Sequence, residues 1–376
     1  MGGQGLMAAA FRLCCVVSGH GFGHIAQTAA LVNRLAAELP ALQLHIISPL
    51  PRPLLARMIG VEFSLECRAQ DVGLLQSDPM RIDLSATAQA VRRLHDDWSR
   101  QLAVEKASLS AWRPDLVLAN IPYLPIAAAA ELGIATVGVA SLTWDAVLAA
   151  YFLAGDGPDP EITGWWRAMR EAYAGTSLAL LPMPAIVENH PFPRAELIGP
   201  LITLGRPRRE ALRRLLGLAE ADERPVILVS LGGIPARHIP VQALAREEGF
   251  HWLLDVDLPA HPGHLHAISV LLGHWSFADL SASVDGVVSK PGYGMAVAAT
   301  VQQIPFLYLR RGTFPDEPPI CGWMEAVGCA MELTAAQFYG GDWSVALRSL
   351  LDRPVRPLLS ANGAEQGVAH IRDRFL

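Results

Sequence analysis

FRLCCVVSGHGFGHIAQTAALVNRLAAELP, residues 11–40, decides the architecture. Phe11–Ser18 is a short, continuous apolar run, as expected of a strand buried on both faces of a parallel sheet. Three alternating glycines follow, Gly19, Gly21 and Gly23, and Ile25–Glu38 then sets Leu31, Val32 and Leu35 at helical spacing. The order is strand, glycine turn, helix. Downstream, Leu42–Ser48, Asp115–Asn120, Ile134–Ala140 and Ser177–Met183 read as further strands, the last of them closing the first half. A long helix around 86–111 and another ending near Leu132 lie between them. Leu197–Leu204, broken by Gly199 and Pro200, reads as a linker. The alternation then restarts with Pro225–Leu231 running into Gly232 and Gly233, followed by His251–Val256, Asp285–Ser289 and Pro305–Leu309. Val345–Leu351 and Gln366–Phe375 read as closing helices. Strands alternating with helices in two rounds predict two doubly wound parallel sheets, whose ligands bind at the carboxyl ends of the strands in a cleft.

Composition agrees. The chain has 376 residues, 51% of them hydrophobic and 18% charged, with a net charge of −6. That suits two packed domains of roughly 150–200 residues each. No basic stripe is present, which excludes nucleic acid as the expected partner. The 5 cysteines are odd in number and lack CxxC spacing, so they read as reduced thiols of a cytoplasmic protein. Residues 1–10 read as a frayed leader without the basic start of a signal peptide. From Ala119 to Trp144 the only charge is Glu131, but Pro122, Pro125, Gly133 and Gly138 punctuate the stretch. A helix followed by a buried strand is expected there, and no transmembrane segment.

Three loops carry chemistry. In the first, Ser18–His24, glycines expose backbone N–H groups at a helix start and place His20 and His24 at a strand's carboxyl end. A dinucleotide fingerprint starting at Gly19 would need glycine where His24 stands, so an NAD site is not expected. The competing reading is a tight turn with capping histidines. In the second, Ser289-Lys290-Pro291-Gly292-Tyr293-Gly294, the glycines permit close backbone approach and the next helix offers its positive end to a diphosphate. Lys290 adds a point charge; the alternative is glycine used only for strand–helix packing. GxxxxGK[ST] occurs nowhere, which excludes a P-loop. The third loop, Leu309–Pro318, sets Arg310 and Arg311 beside Asp316 and Glu317, as a grip on phosphate or sugar hydroxyls or as a surface ion-pair cluster. His261, His264 and His266, with His274 beyond, have a spacing metal ligands can show. No carboxylate or cysteine joins them, and a loop of solvated histidines is expected.

GHGFGH, then Gln76-Ser77-Asp78 and Asp83, then Leu142-Thr143-Trp144-Asp145, KPGYG and RRGTFPDEP come in an order that resembles the glycosyltransferase-like region of plant L-arabinokinases and its stand-alone bacterial relatives. The sugar-kinase module that follows in arabinokinases lies outside these residues. More distantly the chain is similar to the GlcNAc transferases of peptidoglycan synthesis and other GT-B enzymes. The resemblance implies a GT-B α/β fold with two Rossmann-like domains: an acceptor domain over 1–196, a nucleotide-sugar donor domain over 197–360, and a helix in 361–376 packing back on the first.

Under that resemblance the expected activity is metal-independent, inverting transfer from a nucleoside-diphosphate sugar, UDP by preference, to the hydroxyl of a small or lipid-linked acceptor. No cofactor is implied. His24 is expected as general base, His20 as second choice, with Asp145 orienting the imidazole. Gly232, Gly233, Lys290, Gly292, Tyr293 and Gly294 would hold the donor together with Arg310, Arg311 and Glu317. Gly21, Phe22, Gly23 and Trp144, with Ser77, Asp78 and Asp83, would meet the acceptor. Relatives often carry a glutamate suited to the donor ribose where this chain has Ala298. The rival expectations are a nucleotide-sugar 2-epimerase and a non-catalytic nucleotide-sugar sensor.

Overall fold

The computed structural model describes residues 10–155, 157, 159–232, 239–258, 261–271, 275–354 and 357–376. The chain divides into two compact units, one of residues 1–75, 84–201 and 362–376, the other of 76–83 and 202–361.

In chain order the strands begin with β1 (Arg12–Val17), β2 (Gln43–Ile47) and β3 (Phe63–Glu66). A short hairpin follows, β4 (Gln76–Asp78) and β5 (Arg81–Ile82), and then β6 (Leu116–Asn120), β7 (Thr136–Val139), β8 (Leu178–Pro182) and β9 (Ala195–Ile198). The first unit's sheet has the order β3-β2-β1-β6-β7-β8-β9, with every pairing parallel. Leu13–Val17 and Leu116–Ala119 are wholly buried, which is why these strands read as unbroken apolar runs. Helix Gly23–Glu38 lays Ile25, Leu31, Val32 and Leu35 on the sheet.

The second unit repeats the plan with β10 (Val226–Val229), β11 (His251–Leu254), β12 (Leu265–Ala267), β13 (Gly286–Ser289), β14 (Phe306–Tyr308) and β15 (Ala330–Glu332). Its all-parallel sheet runs β12-β11-β10-β13-β14-β15. In each unit the chain reverses its direction of travel beside the first strand, between β1 and β6 and between β10 and β13. Both glycine loops sit at these switch points, where the carboxyl ends of an open α/β sheet leave room for a ligand.

Four expectations are corrected. The long helix around 86–111 is two, Leu84–Asp96 and Trp98–Trp112. Asp97 leaves the helical region at φ −100°, ψ 14°, and its carboxylate takes Arg100 Nε at 2.8 Å and Gln101 Nε2 at 2.8 Å. Ser177–Met183 is not the final strand of its half, because Ala195–Ile198, which overlaps the start of the expected linker at Leu197 and Ile198, pairs beyond it as β9. The hairpin β4–β5 packs with the second unit, where Met80 joins the core around Val229, Trp252 and Leu307. His264 and His266 are not a solvated loop: His264 is buried and His266 lies in β12, hydrogen-bonded to His251 at 3.2 Å, while His274 lies outside the described residues.

The last helix, Gly363–Phe375, returns to the first unit and packs against Gly23–Glu38. Gly363 N–H donates to Pro200 O at 3.2 Å, and a Cβ on Gly363 would lie 2.2 Å from Gly199 O. Backbone cannot yield as a flexible side chain can. Gly363→Ala should therefore lower the unfolding free energy of the first unit by about 1–3 kcal/mol, the usual cost of overpacking. An unchanged urea midpoint would show that this helix start is not tightly held.

Candidate active site

At the carboxyl ends of β1 and β6 the chain turns through Gly21, whose φ of +78° suits glycine, into the helix beginning at Gly23. Gly23 leads directly into His24, and Phe22 remains about half exposed at the turn (47%). His24 is buried, and its Nδ1 lies 2.8 Å from Asn120 Oδ1. The proton follows from the neighbours. Asn120 Nδ2 donates to His24 O at 3.1 Å and to Gln27 Oε1 at 3.0 Å, and Gln27 Nε2 donates onward to Ser141 Oγ at 3.1 Å. With both amide hydrogens spent, Asn120 Oδ1 is an acceptor, so His24 Nδ1 carries the hydrogen and Nε2 the basic lone pair. Burial lowers the imidazole's pKa, against the Asn120 bond, which raises it. At pH 7 the ring is neutral.

Trp144 is the neighbour of both histidines. Its ring lies 5.3 Å from that of His20, nearly perpendicular, and 5.9 Å from that of His24. The indole N–H donates to Asp71 Oδ2 at 2.8 Å. Burial pushes Asp71 up to about 6, opposed by hydrogen bonds from Ser18 and Trp144. Gly73 backs His20 so closely that a Cβ there would stand 2.9 Å from Nδ1. Asp145 does not orient His24. Arg170 Nη1 takes its Oδ2 at 2.8 Å, and Asn120 holds the position expected of Asp145. Ser77 is in β4; Asp78 accepts from Met80 N at 2.8 Å, and Asp83 is exposed after β5, all three in the segment that packs with the second unit.

In the second unit Lys290 follows β13 and Gly232 follows β10. A Cβ on Gly232 (φ +86°) would come 3.8 Å from Lys290 Nζ, and one on Gly292 would come 3.5 Å from it, so the ammonium lies beside both turns. Burial and Arg311 lower Lys290 to about 8, partly offset by Asp316 and Glu317. Gly292 caps the helix Tyr293–Val301, and among the described residues no atom beyond its chain neighbours and its own helix backbone lies within 4 Å of a Cβ built on Gly294. Gly233 lies outside the described residues.

The paired arginines separate. Arg310 reaches Glu332 at 3.2 Å on the surface, whereas Arg311 is buried over the Phe314 ring. Glu317, with no exposed surface, accepts from Arg311 Nε at 2.6 Å and from Arg311 N at 2.9 Å. Both of its oxygens are therefore used in holding the loop. Tyr293 packs into the core of its unit. Among the described residues no group of three or more His, Cys, Asp or Glu is placed to hold a metal ion. The sequence reading passed over Asn120, Asp71 and the pair Ser230–Asp255, where Ser230 Oγ donates to Asp255 Oδ2 at 3.0 Å. Asn120 could have been found as the polar residue closing an apolar strand; Asp71 lies in irregular chain with no pattern to mark it.

Two parallel α/β units of this order define the class: the chain has the GT-B fold of glycosyltransferases. No protein-family model matches it. L-arabinokinase of Arabidopsis thaliana is similar at 26% identity over 336 residues, covering 87% of this chain. The chain spans 31% of that protein's length. The glycosyltransferase of kitacinnamycin superposes with a TM-score of 0.62 at 17% identity, over 97% of this chain and 99% of that one. CalG4, the calicheamicin glycosyltransferase, gives 0.62 at 15%, over 96% and 98%. A UDP-glucosyltransferase from Polygonum tinctorium, capable of glucosylating indoxyl, gives 0.60 at 17%, over 98% and 99%.

Near this site His95 stacks on Trp98 and pairs its Nε2 with Tyr123 OH at 3.0 Å, and burial lowers it to about 4. Its unfolded value is about 6.5, so the fold favours the neutral ring. That stabilisation is complete above pH 6.5 and fades as pH falls toward 4. Relative to wild type, His95→Phe should gain about 1–2 kcal/mol of unfolding free energy between pH 7.5 and pH 5. A pH-independent difference in urea titrations would contradict a neutral, buried His95.

Proposed function

We propose that the chain is a metal-independent, inverting glycosyltransferase using a nucleoside-diphosphate sugar, UDP by preference, and a hydroxyl acceptor. The observation that carries this is His24, a neutral imidazole with its proton fixed on Nδ1 and Nε2 left basic, at the carboxyl end of a parallel sheet. Nε2 takes the acceptor's hydroxyl proton as the oxygen attacks the anomeric carbon, and the bond to the nucleoside diphosphate breaks on the opposite side. Asn120 fixes the tautomer but brings no negative charge to the imidazolium. Lys290 and the N-terminus of Tyr293–Val301 receive the leaving diphosphate, supplying the positive field a metal provides elsewhere. His20, Phe22 and Trp144 meet the acceptor. The reading is supported by the fold and by similarity to L-arabinokinase. A cytoplasmic location is part of the same proposal. A second reading, a nucleotide-sugar binder without catalysis, is favoured by Ala298, partly exposed where relatives often carry a glutamate.

UDP should bind in the presence of EDTA, and Gly294→Val should abolish binding by filling open space at the helix start. Calorimetry showing no nucleoside diphosphate bound, or binding that disappears with EDTA, refutes the donor site. His24→Ala should lower kcat by roughly 10²–10⁴-fold, the usual contribution of a positioned base, with UDP affinity within a few-fold. Near-normal turnover of that variant places the base elsewhere.

A further inference from the structure

The carboxyl edge of the second sheet carries a row of hydrogen bonds that reaches away from the Lys290 loop. Ser289, the last residue of β13, donates from Oγ to Ser230 O at 2.5 Å. Ser230 directly follows β10, is buried, and donates from Oγ to Asp255 Oδ2 at 3.0 Å. Asp255 directly follows β11, and its N–H donates to Val229 O at 3.1 Å. The residue is exposed at the strand end, and among the described residues no hydrogen bond reaches its Oδ1. One carboxylate oxygen is thus fixed by the sheet, and the other is left to accept.

In a parallel α/β sheet, an acid about 20 residues beyond a glycine turn, on the neighbouring strand, is placed to meet the ribose of a nucleotide whose phosphates lie at that turn. Here Gly232 turns beside Lys290, and Asp255 comes 25 residues after Ser230. The ends of β11 and β13 are two strand spacings apart, about 10 Å, a span that the ribose and phosphates of one nucleoside diphosphate bridge. Other carboxylates on this edge are less suited. Glu317 is spent on Arg311, Asp316 is buried, and Glu332 pairs with Arg310. The helix Tyr293–Val301 contains none. Asp257 is exposed, and among the described residues no hydrogen bond holds it in place. We infer that Asp255 is a nucleotide-binding residue, oriented by Ser230, whose Oδ1 accepts the hydrogen of the donor's ribose 2′-hydroxyl. The inference rests on the nucleoside-diphosphate reading and adds to it a preference for ribose over deoxyribose.

Calorimetry on the whole chain with UDP and 2′-deoxy-UDP tests this. Wild type should bind 2′-deoxy-UDP about tenfold more weakly, the worth of one hydrogen bond to a charged acceptor. Asp255→Ala should weaken UDP by a similar factor and bind the two ligands within about twofold of each other. Asp255→Asn, which keeps an oxygen but loses the charge, should fall between wild type and Asp255→Ala. Asp257→Ala should discriminate as wild type does. Equal wild-type affinities for the two ligands, or an Asp255→Ala variant that still discriminates, would overturn the assignment while UDP binding leaves the donor reading standing. If Asp255→Ala does not fold, an Asp255→Asn variant that discriminates as strongly as wild type overturns it instead. Failure of the wild type to bind UDP at all removes both.

Discussion

Asn120 is the residue on which the first unit's site depends. Wholly buried at the end of β6, it accepts the His24 Nδ1 hydrogen and gives its own two hydrogens to His24 O and Gln27 Oε1, and its carbonyl accepts from Ser18 N at 2.9 Å. One side chain thus ties the end of β1, the start of the following helix and the end of β6. Aspartate would not fit this arrangement, because its oxygens would face two carbonyl oxygens where the amide now donates, and a buried acceptor without a donor is costly. The geometry that fixes the imidazole is therefore also what denies it a charged partner. Reactivity at His24 must come from position and burial.

The two units apply one topology to different electrostatics. In the first, the switch point between β1 and β6 is furnished with neutral groups joined by hydrogen bonds, and the nearby carboxyl of Asp71 is shifted toward protonation. In the second, the switch point between β10 and β13 carries Lys290, Arg311, Asp316 and Glu317. Arg311 and Glu317 neutralise each other in a buried pair, and Asp316 is pushed up to about 6 by burial. Asp316 is the carboxylate that offsets Lys290 most. The first switch point presents a neutral imidazole to a hydroxyl nucleophile, and the second presents an ammonium to an anion.

What could be read from the sequence follows from what a linear pattern encodes. Buried parallel strands are continuous apolar runs, so β1, β6, β10 and β13 were legible, as were the glycine turns after β1 and β13 that the fold places at its switch points. The break at Asp97 was not, because it depends on side-chain bonds within an otherwise helical pattern. β9 was hidden by its four-residue length and by Gly199-Pro200 directly after it. Arg310 and Arg311 look equivalent in sequence, and only the buried Glu317 separates a surface residue from a core one. Asn120 and Asp145 exchange their expected standing for a similar reason: which polar group meets His24 is set by strand order, since β6 adjoins β1 and Asp145 follows β7.

Lys290 shows how the second site keeps its charge available. Its value of about 8 lies below the 10.5 of a free lysine, so folding disfavours the ammonium. The shift corresponds to about 3 kcal/mol carried by the fold below pH 8, relieved as pH rises and the proton leaves. Glycine at 232 and 292 spares the ammonium further apolar contact, since a Cβ at either would come within 4 Å of it. Arg311 adds to the cost from one side; Asp316 offsets it most among the carboxylates, and Glu317 is already turned to Arg311. An anion arriving at the helix start therefore meets a cation whose electrostatic cost has already been met in folding. Its binding returns part of that free energy, where a fully solvated lysine would first have to give up its water.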